Sequence, residues 1–248
     1  VVGPDQWGDE QYKPYKKKNF IFKTLPIAGA PSLYAFSFKA LNRVISGYRP
    51  CVIYCMEEIF TFFARECIRF GKEYGCPVVF FTWENRPDYR IGDSFDRIEQ
   101  DCIREADKII CGNNLAKKRM INCGTDKNKL HVLLQSGIDT ELFKPNEEIK
   151  KEYDVIYHGR LVREKGLYYL ENACKDLGVH LLAVGGRGKY HFKYGESKDW
   201  VDYEDLPSII NSAHIGVQFP FSWHGYQEQG NFAVGENMAI ENPVIISN

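Results

Sequence analysis

Two glutamates near the end of the chain are distinguished by their side-chain type and their spacing. Glu228 and Glu236 are separated by seven residues, and the glycine-flanked apolar stretch between them leads into a predicted helix over 232–240. Carboxylate oxygens accept hydrogen bonds from sugar hydroxyls, and free backbone N–H groups at a helix start bind phosphate. Because 33 of the 248 residues are acidic, this spacing also arises by chance, and the surrounding sequence must support the interpretation. A carboxylate that only complements the helix dipole is the alternative for Glu236.

Two cations follow a predicted strand in the second half of the chain. The strand ends at His158, and Gly159 then permits a tight backbone turn. Arg160 and Lys165 stand beside the start of the next predicted helix. Ligands of open parallel sheets collect at the carboxyl ends of strands, so these two cations are placed to neutralise a diphosphate. Two solvated loop cations are the alternative.

Short apolar runs alternate with amphipathic stretches along most of the chain. This alternation is typical of an α/β protein with parallel strands. The predicted strands are Phe20–Leu25, Val52–Cys55, Val78–Thr82, Lys108–Cys111, Leu130–Leu134, Val155–His158, His180–Val184, Ile215–Phe219 and Val244–Ser247. The predicted helices cover 34–47, 58–74, 94–106, 114–122, 165–176, 205–212 and 232–240.

A charged, proline-bearing stretch separates two predicted units. Residues 143–153 are almost without apolar side chains, a composition typical of a linker. We therefore expect one unit over 1–148 and a second over 149–248. Each is small for a complete doubly wound domain, and the chain opens at Val1 rather than at a methionine, so we expect a fragment.

Composition excludes several classes of protein. The 32 basic and 33 acidic residues nearly cancel, so no nucleic-acid partner is expected. No apolar run approaches the roughly 20 residues that span a bilayer. The eight cysteines lack Cys-x2-Cys spacing and mostly stand beside apolar residues, which indicates buried thiols in a reducing, cytoplasmic compartment. The six histidines show no ligand spacing with them, so no zinc site is expected.

A basic run near the start of the chain has two interpretations. Lys16–Lys18 is either a solvated loop or a patch that contacts anionic lipid headgroups at the inner face of a membrane. We keep peripheral membrane contact as an expectation.

Several motifs occur together in one order along the chain. The second half contains Gly159-Arg160 with Lys165-Gly166, the two glutamates, and Asn242-Pro-Val-Ile-Ile-Ser247. Before them stand Phe81–Asn85, Ala106–Gly112 and Ser136–Pro145. The motifs of the second half resemble the donor half of glycosyltransferase family 4, whose fold is GT-B. Ser136–Pro145 resembles that family's domain junction, and the other two resemble its acceptor half. The resemblance implies two Rossmann-like domains with parallel sheets that face across a cleft. Both would be incomplete, since neither the N-terminal Gly-rich loop nor the C-terminal helices of the family are recognisable.

The resemblance also implies a role for each donor-side residue. Arg160 and Lys165 would neutralise the diphosphate of a nucleotide diphosphate-sugar, the co-substrate, and Glu228 would bind the sugar and Glu236 the ribose. The donor-binding set would comprise Gly159, Arg160, Lys165, Glu228, Phe232, Ala233, Val234 and Glu236, with Arg160, Lys165 and Glu228 catalytic. The family implies a retaining transfer of a hexose to a hydroxyl of a lipid-linked, sugar or protein acceptor, with no metal and no cofactor.

The acceptor half departs from the family. Many members carry a histidine after a strand such as Val78–Thr82, where this chain has Trp83-Glu84-Asn85. The acceptor-side candidates are therefore Glu57, Glu58, Trp83 and Asn85, although the two glutamates are also explained as acids in the first turn of a helix.

Aromatic residues offer surfaces for the base or the sugar, and other functions stay open. Trp223 and Tyr226 would stack on either or simply anchor their loop, and by resemblance Trp200–Tyr203 meets the base.

The alternatives to a transferase are a catalytically silent sugar-nucleotide binder and a nucleotide-sugar epimerase or phosphorylase of the same fold. A phosphorylase would need a pyridoxal lysine, and no lysine is singled out.

Overall fold

The computed structural model describes residues 1–7, 10–17, 19–28, 34–186, 188, 190–222 and 227–247. Contacts divide the chain into two compact units, Val1–Gln135 and Ser136–Asn248. This division precedes the predicted boundary at residue 148. The intervening stretch belongs to the second unit because Phe143 is fully buried in its core. Asn211 reinforces this packing, since its side chain accepts from the Asn146 N–H (2.9 Å) and donates to the Lys144 carbonyl (3.1 Å).

The first unit is built on a four-stranded parallel sheet. Its strand order is β11-β10-β9-β8. The strands of the unit are β1 (Val2–Pro4), β2 (Gln6–Trp7), β3 (Glu10–Gln11), β4 (Tyr15–Lys17), β5 (Phe20–Leu25), β6 (Ile27–Ala28), β7 (Ser37–Phe38), β8 (Ile53–Cys55), β9 (Val78–Thr82), β10 (Lys108–Cys111) and β11 (Leu130–Val132). The helices are α1 (Leu41–Tyr48), α2 (Phe62–Tyr74), α3 (Asp93–Glu105) and α4 (Asn114–Asn122), with a 3₁₀ turn at Lys127–Lys129.

The helix predicted over 34–47 is wrong in its first half. Residues 37–38 form β7, which pairs antiparallel with β6, and α1 begins only at Leu41. The aromatic side chains explain the difference, because Phe36 and Phe38 pack against Phe63 of α2. The basic run Lys16–Lys18, for which a solvated loop is one of the two interpretations, begins inside β4 (Tyr15–Lys17).

Helix α2 buries one of its faces in the core of the first unit. Ala64, Cys67 and Ile68 recur at helical spacing and are buried under the sheet. The Thr61 side chain accepts from the Ala64 N–H (3.1 Å), which caps the helix start and satisfies one of its free N–H groups.

The second unit contains a five-stranded parallel sheet, covered on both faces. Its strand order is β14-β13-β12-β15-β16. The strands are β12 (Tyr153–His158), β13 (Leu181–Val184), β14 (Glu196–Lys198), β15 (Ala213–Gln218) and β16 (Val244–Ile246). The helices are α5 (Leu167–Leu177), α6 (Leu206–Asn211) and α7 (Phe232–Ala239), with a 3₁₀ turn at Arg163–Lys165.

Strand β12 marks the point where the chain changes direction across this sheet. The chain proceeds from β12 through β13 to β14 on one side, then adds β15 and β16 on the other. Open parallel sheets bind ligands at the carboxyl ends of their strands at such a switch point. The order of the strands therefore directs attention to the loops after His158 and Gln218.

Within the part of the chain that the structure describes, no helix has both the length and the apolar character to cross a membrane.

Candidate functional site

A cavity of about 330 Å³ opens at the carboxyl end of the second unit's sheet, beside β12 and β15. Seven of the eight predicted donor-site residues line it, namely Gly159, Arg160, Lys165, Glu228, Phe232, Ala233 and Glu236. Val234 does not; it lines a neighbouring cavity of about 560 Å³. The amino end of α7 therefore contributes Phe232 and Ala233 to the cavity, where the helix dipole favours an anion.

The loop that carries Arg160 is fixed by backbone contacts. The Gly159 N–H donates to the Val184 carbonyl (2.9 Å), and the Tyr157 hydroxyl donates to the Arg160 carbonyl (2.8 Å). Gly185 has φ +148°, and a Cβ there would lie 1.9 Å from the Gly159 carbonyl oxygen. Burial, followed by the charge of Glu228, raises the pKa of Tyr157, so its hydroxyl keeps its proton. The Arg160 side chain itself is exposed.

Lys165 and Glu228 form a direct ion pair in the cavity wall. The Lys165 ammonium donates to Glu228 Oε2, and only 12% and 21% of the two side chains are exposed. The 3₁₀ turn that carries Lys165 is held against the other loop, since the Phe221 N–H donates to the Glu164 carbonyl (3.0 Å). Glycine is required after the turn because a Cβ on Gly166 would lie 2.1 Å from the Phe219 carbonyl oxygen. The cation and the carboxylate predicted to bind phosphate and sugar thus neutralise each other here.

A buried His158–Glu236 pair lies at the same cavity. His158 Nε2 is 2.9 Å from Glu236 Oε2, and both side chains are buried. An ionised carboxylate only accepts hydrogen bonds, so Nε2 is the donor in the tautomer that suits an ionised Glu236. Gln218 donates to the His158 carbonyl (2.9 Å), and Asn231 donates to the Gln218 side chain (3.3 Å). These bonds join the ends of β12 and β15 to the start of α7.

His158 is the site residue that sequence reasoning missed. The sequence predicts it only as the last residue of a strand, although its position directly before Gly159 is a signal that it belongs to the site. Its Nδ1 atom is buried and has no hydrogen-bond partner among the described residues.

An aromatic and aliphatic wall forms another side of the cavity. Trp200, Val201, Tyr203 and Leu206 line it, as expected for the region assigned to the base. Trp200 and Tyr203 are 63% and 48% exposed and so present ring surface for stacking. Burial, then the charge and the hydrogen bond of Glu236, raise the pKa of Tyr203. Trp223 and Tyr226, the other predicted stacking residues, lie outside the described residues.

In the first unit, Glu58 holds the loop after β9. Its carboxylate accepts from the Thr82 hydroxyl (2.5 Å), the Trp83 N–H (2.8 Å) and the Glu84 N–H (3.2 Å). Burial raises the pKa of Glu58, against the effect of these bonds. Glu58 therefore has a structural reason for its position that needs no ligand.

Trp83 and Asn85 are also built into the first unit. Trp83 Nε1 donates to the Gln135 side chain (2.9 Å), and its ring occupies the space beside Gly112. Asn85 is buried. Both residues follow β9, and the contacts of Trp83 stabilise the loop.

Glu57 differs from Glu58. It is half-buried, and no hydrogen bond of its carboxyl group is seen within the described residues. Burial, followed by the charge of Glu58, raises its pKa to about 7. Glu57 is therefore an acid at the carboxyl end of β8 that titrates near neutral pH.

Potential metal ligands are not grouped in the described part of the chain. No three His, Cys, Asp or Glu side chains there are arranged to hold a metal ion. Independence of metal stays a prediction.

No family model and no curated protein matches the chain, but solved structures do. Sucrose-phosphate synthase from Thermosynechococcus elongatus matches with a TM-score of 0.70 and 13% identity, over 99% of this chain and 70% of that one. Anabaena HepE in complex with UDP-glucose matches with a TM-score of 0.65 and 14% identity, over 91% and 66%. The pneumococcal O-GlcNAc transferase GtfA, in complex with UDP and GlcNAc, matches with a TM-score of 0.61 and 12% identity, over 94% and 54%.

These matches establish the fold class. The chain has the α/β, GT-B fold of the glycosyltransferases that it resembles, as the sequence predicts. It spans 61% to 66% of the length of the HepE chains that it matches.

Proposed function

We propose that the chain binds a nucleoside diphosphate-hexose in the second unit's cavity and belongs to a glycosyltransferase that transfers the hexose to a hydroxyl group. The observation that carries this proposal is the convergence of Arg160, Lys165, Glu228, Glu236 and the start of α7 on one cavity at the sheet's switch point. Cations and free N–H groups suit a diphosphate, and carboxylates suit hydroxyl groups. HepE with UDP-glucose and GtfA with UDP and GlcNAc support UDP-sugars as the first donors to test.

Arg160 and Lys165 would act on the diphosphate. Negative charge grows on this leaving group as the glycosidic bond breaks. Cations fixed beside it stabilise the transition state more than the ground state, which is the condition for acceleration. The rigid backbone around Gly159 and Gly185 supports this role, because it holds the Arg160 loop before any ligand arrives.

Donor binding would exchange the partners of Lys165 and Glu228. In the structure the two side chains neutralise each other. Lys165 would then bind the diphosphate, and Glu228 would accept hydrogen bonds from the hexose hydroxyls. After transfer the hexose is gone, and the Glu228 carboxylate then faces a diphosphate without hydroxyl partners. Repulsion between these anions favours release of the nucleoside diphosphate.

Glu236 would bind the ribose with His158 as its positioning residue. The buried His158 Nε2–H fixes one carboxylate oxygen, so the other keeps a defined direction. The wall formed by Trp200 and Tyr203 would hold the base by stacking.

The proposal also covers the acceptor and the anomeric configuration of the product. We propose a metal-independent reaction that retains the anomeric configuration, with a sugar, lipid-linked or protein hydroxyl as acceptor. Glu57, with a pKa of about 7, is the acceptor-side candidate whose charge state changes near neutral pH.

Turnover assays test this function. Full-length chain is incubated with a panel of UDP-, GDP- and ADP-hexoses and with sugar, lipid-linked and protein acceptors. We expect acceptor-dependent release of nucleoside diphosphate that EDTA does not reduce, and NMR of the product should show a retained anomeric configuration. Inhibition by EDTA would reject metal independence, and inversion would reject retention.

A sugar-nucleotide binder without turnover is the second candidate. The Trp83-Glu84-Asn85 stretch, in place of the family's histidine, favours it. Saturable binding of a donor without release of nucleoside diphosphate, with every acceptor class, would select this candidate.

A further inference from the structure

Two cysteines in the first unit differ from the predicted set of buried thiols. Cys51 is exposed and Cys76 is half-buried. Most of the others lie in the cores, as the sequence predicts: Cys55, Cys67, Cys102, Cys111 and Cys174 are buried, and Cys123 is half-buried. Cys51 and Cys76 therefore need a separate explanation.

The register of the sheet places these two residues next to each other. In the parallel pair of β8 and β9, Ile53 is the partner of Val78. Cys51 and Cys76 each stand two residues before this pair. The Ile53 N–H donates to the Pro77 carbonyl (2.9 Å), which extends the pairing toward the cysteines.

Neighbouring strands lie about 4.8 Å apart, and disulfide-bonded residues have Cα atoms about 4.4–6.8 Å apart. Adjacent positions in this register therefore meet the distance requirement. Both residues precede their strands, so the chain there is not held by the full ladder and can adjust to the geometry of the bond. The raised pKa of Cys76, caused by burial and then by the charge of Cys51, agrees with this proximity.

We propose that Cys51 and Cys76 form a reversible disulfide when a small-molecule disulfide such as glutathione disulfide is present. The exposed Cys51, as the thiolate, attacks glutathione disulfide, and one glutathione leaves as the thiolate while a mixed disulfide forms. The Cys76 thiol then loses its proton and attacks the Cys51 sulfur, and the second glutathione leaves. In total two protein thiols are oxidised and one glutathione disulfide is reduced to two glutathione molecules.

The bond would join the edge strand β8 to β9 at the amino-terminal end of the sheet. The residues that it encloses, 52–75, include α2 and the two glutamates that follow β8. Closing such a loop restricts the unfolded chain, so the oxidised first unit should resist unfolding better. The site is independent of the donor cavity and of the proposed transfer.

Peptide mapping under non-reducing conditions tests the proposal. Full-length chain is incubated with glutathione disulfide, alkylated and digested. We expect one cross-link between the peptides of Cys51 and Cys76, loss of two free thiols, and no retained glutathione. Dithiothreitol should reverse all three changes. Glutathione that stays on Cys51 while Cys76 remains alkylated would overturn the proposal, as would a cross-link to any other cysteine.

Matched variants test whether the cross-link needs Cys51 and Cys76 or forms between any reactive thiols. Cys51→Ser and Cys76→Ser should each abolish the cross-link, whereas Cys123→Ser, in another half-buried thiol of the same unit, should leave it unchanged. Because the wild-type map needs no substitution, poor folding of a variant would not remove the test. A disulfide that still forms in Cys51→Ser in the wild-type yield, and joins Cys76 to a different cysteine, would contradict the assignment.

Discussion

In the proposed reaction, Glu228 would have opposite effects on the binding of the donor and of the nucleoside diphosphate product. Its carboxylate contacts Lys165 in the structure and would contact the hexose of a bound donor. Sequence spacing identified Glu228 and Lys165 separately, because each belongs to its own motif. It did not predict their ion pair, since 63 positions separate them and only the fold brings them together.

The substitution Glu228→Gln tests this exchange. It removes the negative charge beside the diphosphate and frees Lys165, so we expect UDP to bind roughly tenfold more tightly. The affinity for UDP-glucose divided by the affinity for UDP should be lower in this variant than in the wild type. Calorimetric titration with both ligands measures this, and Glu147→Gln, at an exposed position away from the cavity, is the control. Parallel weakening of both ligands would contradict the exchange.

Glu57 provides a prediction about pH. Its pKa in the folded chain, about 7, lies above the ordinary value of 4.5. Between these two pH values the unfolded chain has ionised the carboxyl group while the folded chain still holds the proton. The free energy of unfolding therefore falls as the pH rises through this window.

We expect Glu57→Gln to be more stable than the wild type at pH 8, by on the order of 2 kcal/mol. The advantage should disappear as the pH is lowered toward 4.5. Urea unfolding at several pH values measures the difference, with Glu147→Gln as the control. A difference that does not change with pH would show that burial does not raise the pKa of Glu57.

At the scale of elements, the parallel strands were the most predictable part of the chain. The strand Val78–Thr82 forms as predicted, and the strand predicted over His180–Val184 begins at Leu181. Strands buried on both faces need continuous apolar sequence, which makes them recognisable. The helix predicted over 34–47 does not form in its first half, because the aromatic packing of Phe36 and Phe38 determines the local structure there. Close backbone approaches, as between Gly185 and Gly159, are not visible in sequence patterns.

Gly185→Ala tests whether the loops after β12 and β13 position the cations. The new Cβ would collide with the Gly159 carbonyl oxygen, so the Arg160 loop must move. We expect donor affinity to fall by more than about tenfold. Gly178→Ala is the matched control, because Gly178 also has positive φ (+67°) but open space around its Cβ position. Equal losses in the two variants would attribute the effect to backbone strain alone.

At the scale of the whole molecule, the chain divides into two compact units at Gln135 and Ser136, whereas the charged stretch leads us to expect a boundary at residue 148. The stretch 143–153 is charged enough to indicate a linker, yet Phe143 packs its start into the second unit's core. A single apolar residue in a polar stretch carries too little signal to place a boundary. His158 lies at the end of a strand pattern, where its position directly before Gly159 is the sequence signal that it belongs to the site.

Phe143→Ala should destabilise the second unit by about 3–5 kcal/mol, because it leaves a cavity in that core. Hydrogen exchange should show faster exchange in β12 and β13, while β9 and β10 of the first unit stay protected. Lys144→Ala, at an exposed neighbouring position, should change neither. Unchanged protection of β12 in Phe143→Ala would contradict the boundary at Gln135 and Ser136.

The most direct test of the central claim is calorimetric titration of the full chain with a panel of nucleoside diphosphate-hexoses that begins with UDP-glucose. We predict saturable binding of at least one donor at a single site. The double variant Arg160→Ala/Lys165→Ala should lose about a hundredfold or more in affinity, since two charged contacts to the diphosphate are removed. Lys150→Ala/Lys175→Ala, which removes two exposed cations of the same unit, should bind as the wild type does. Donor binding that survives loss of Arg160 and Lys165, or no binding of any donor in the panel, would contradict the account.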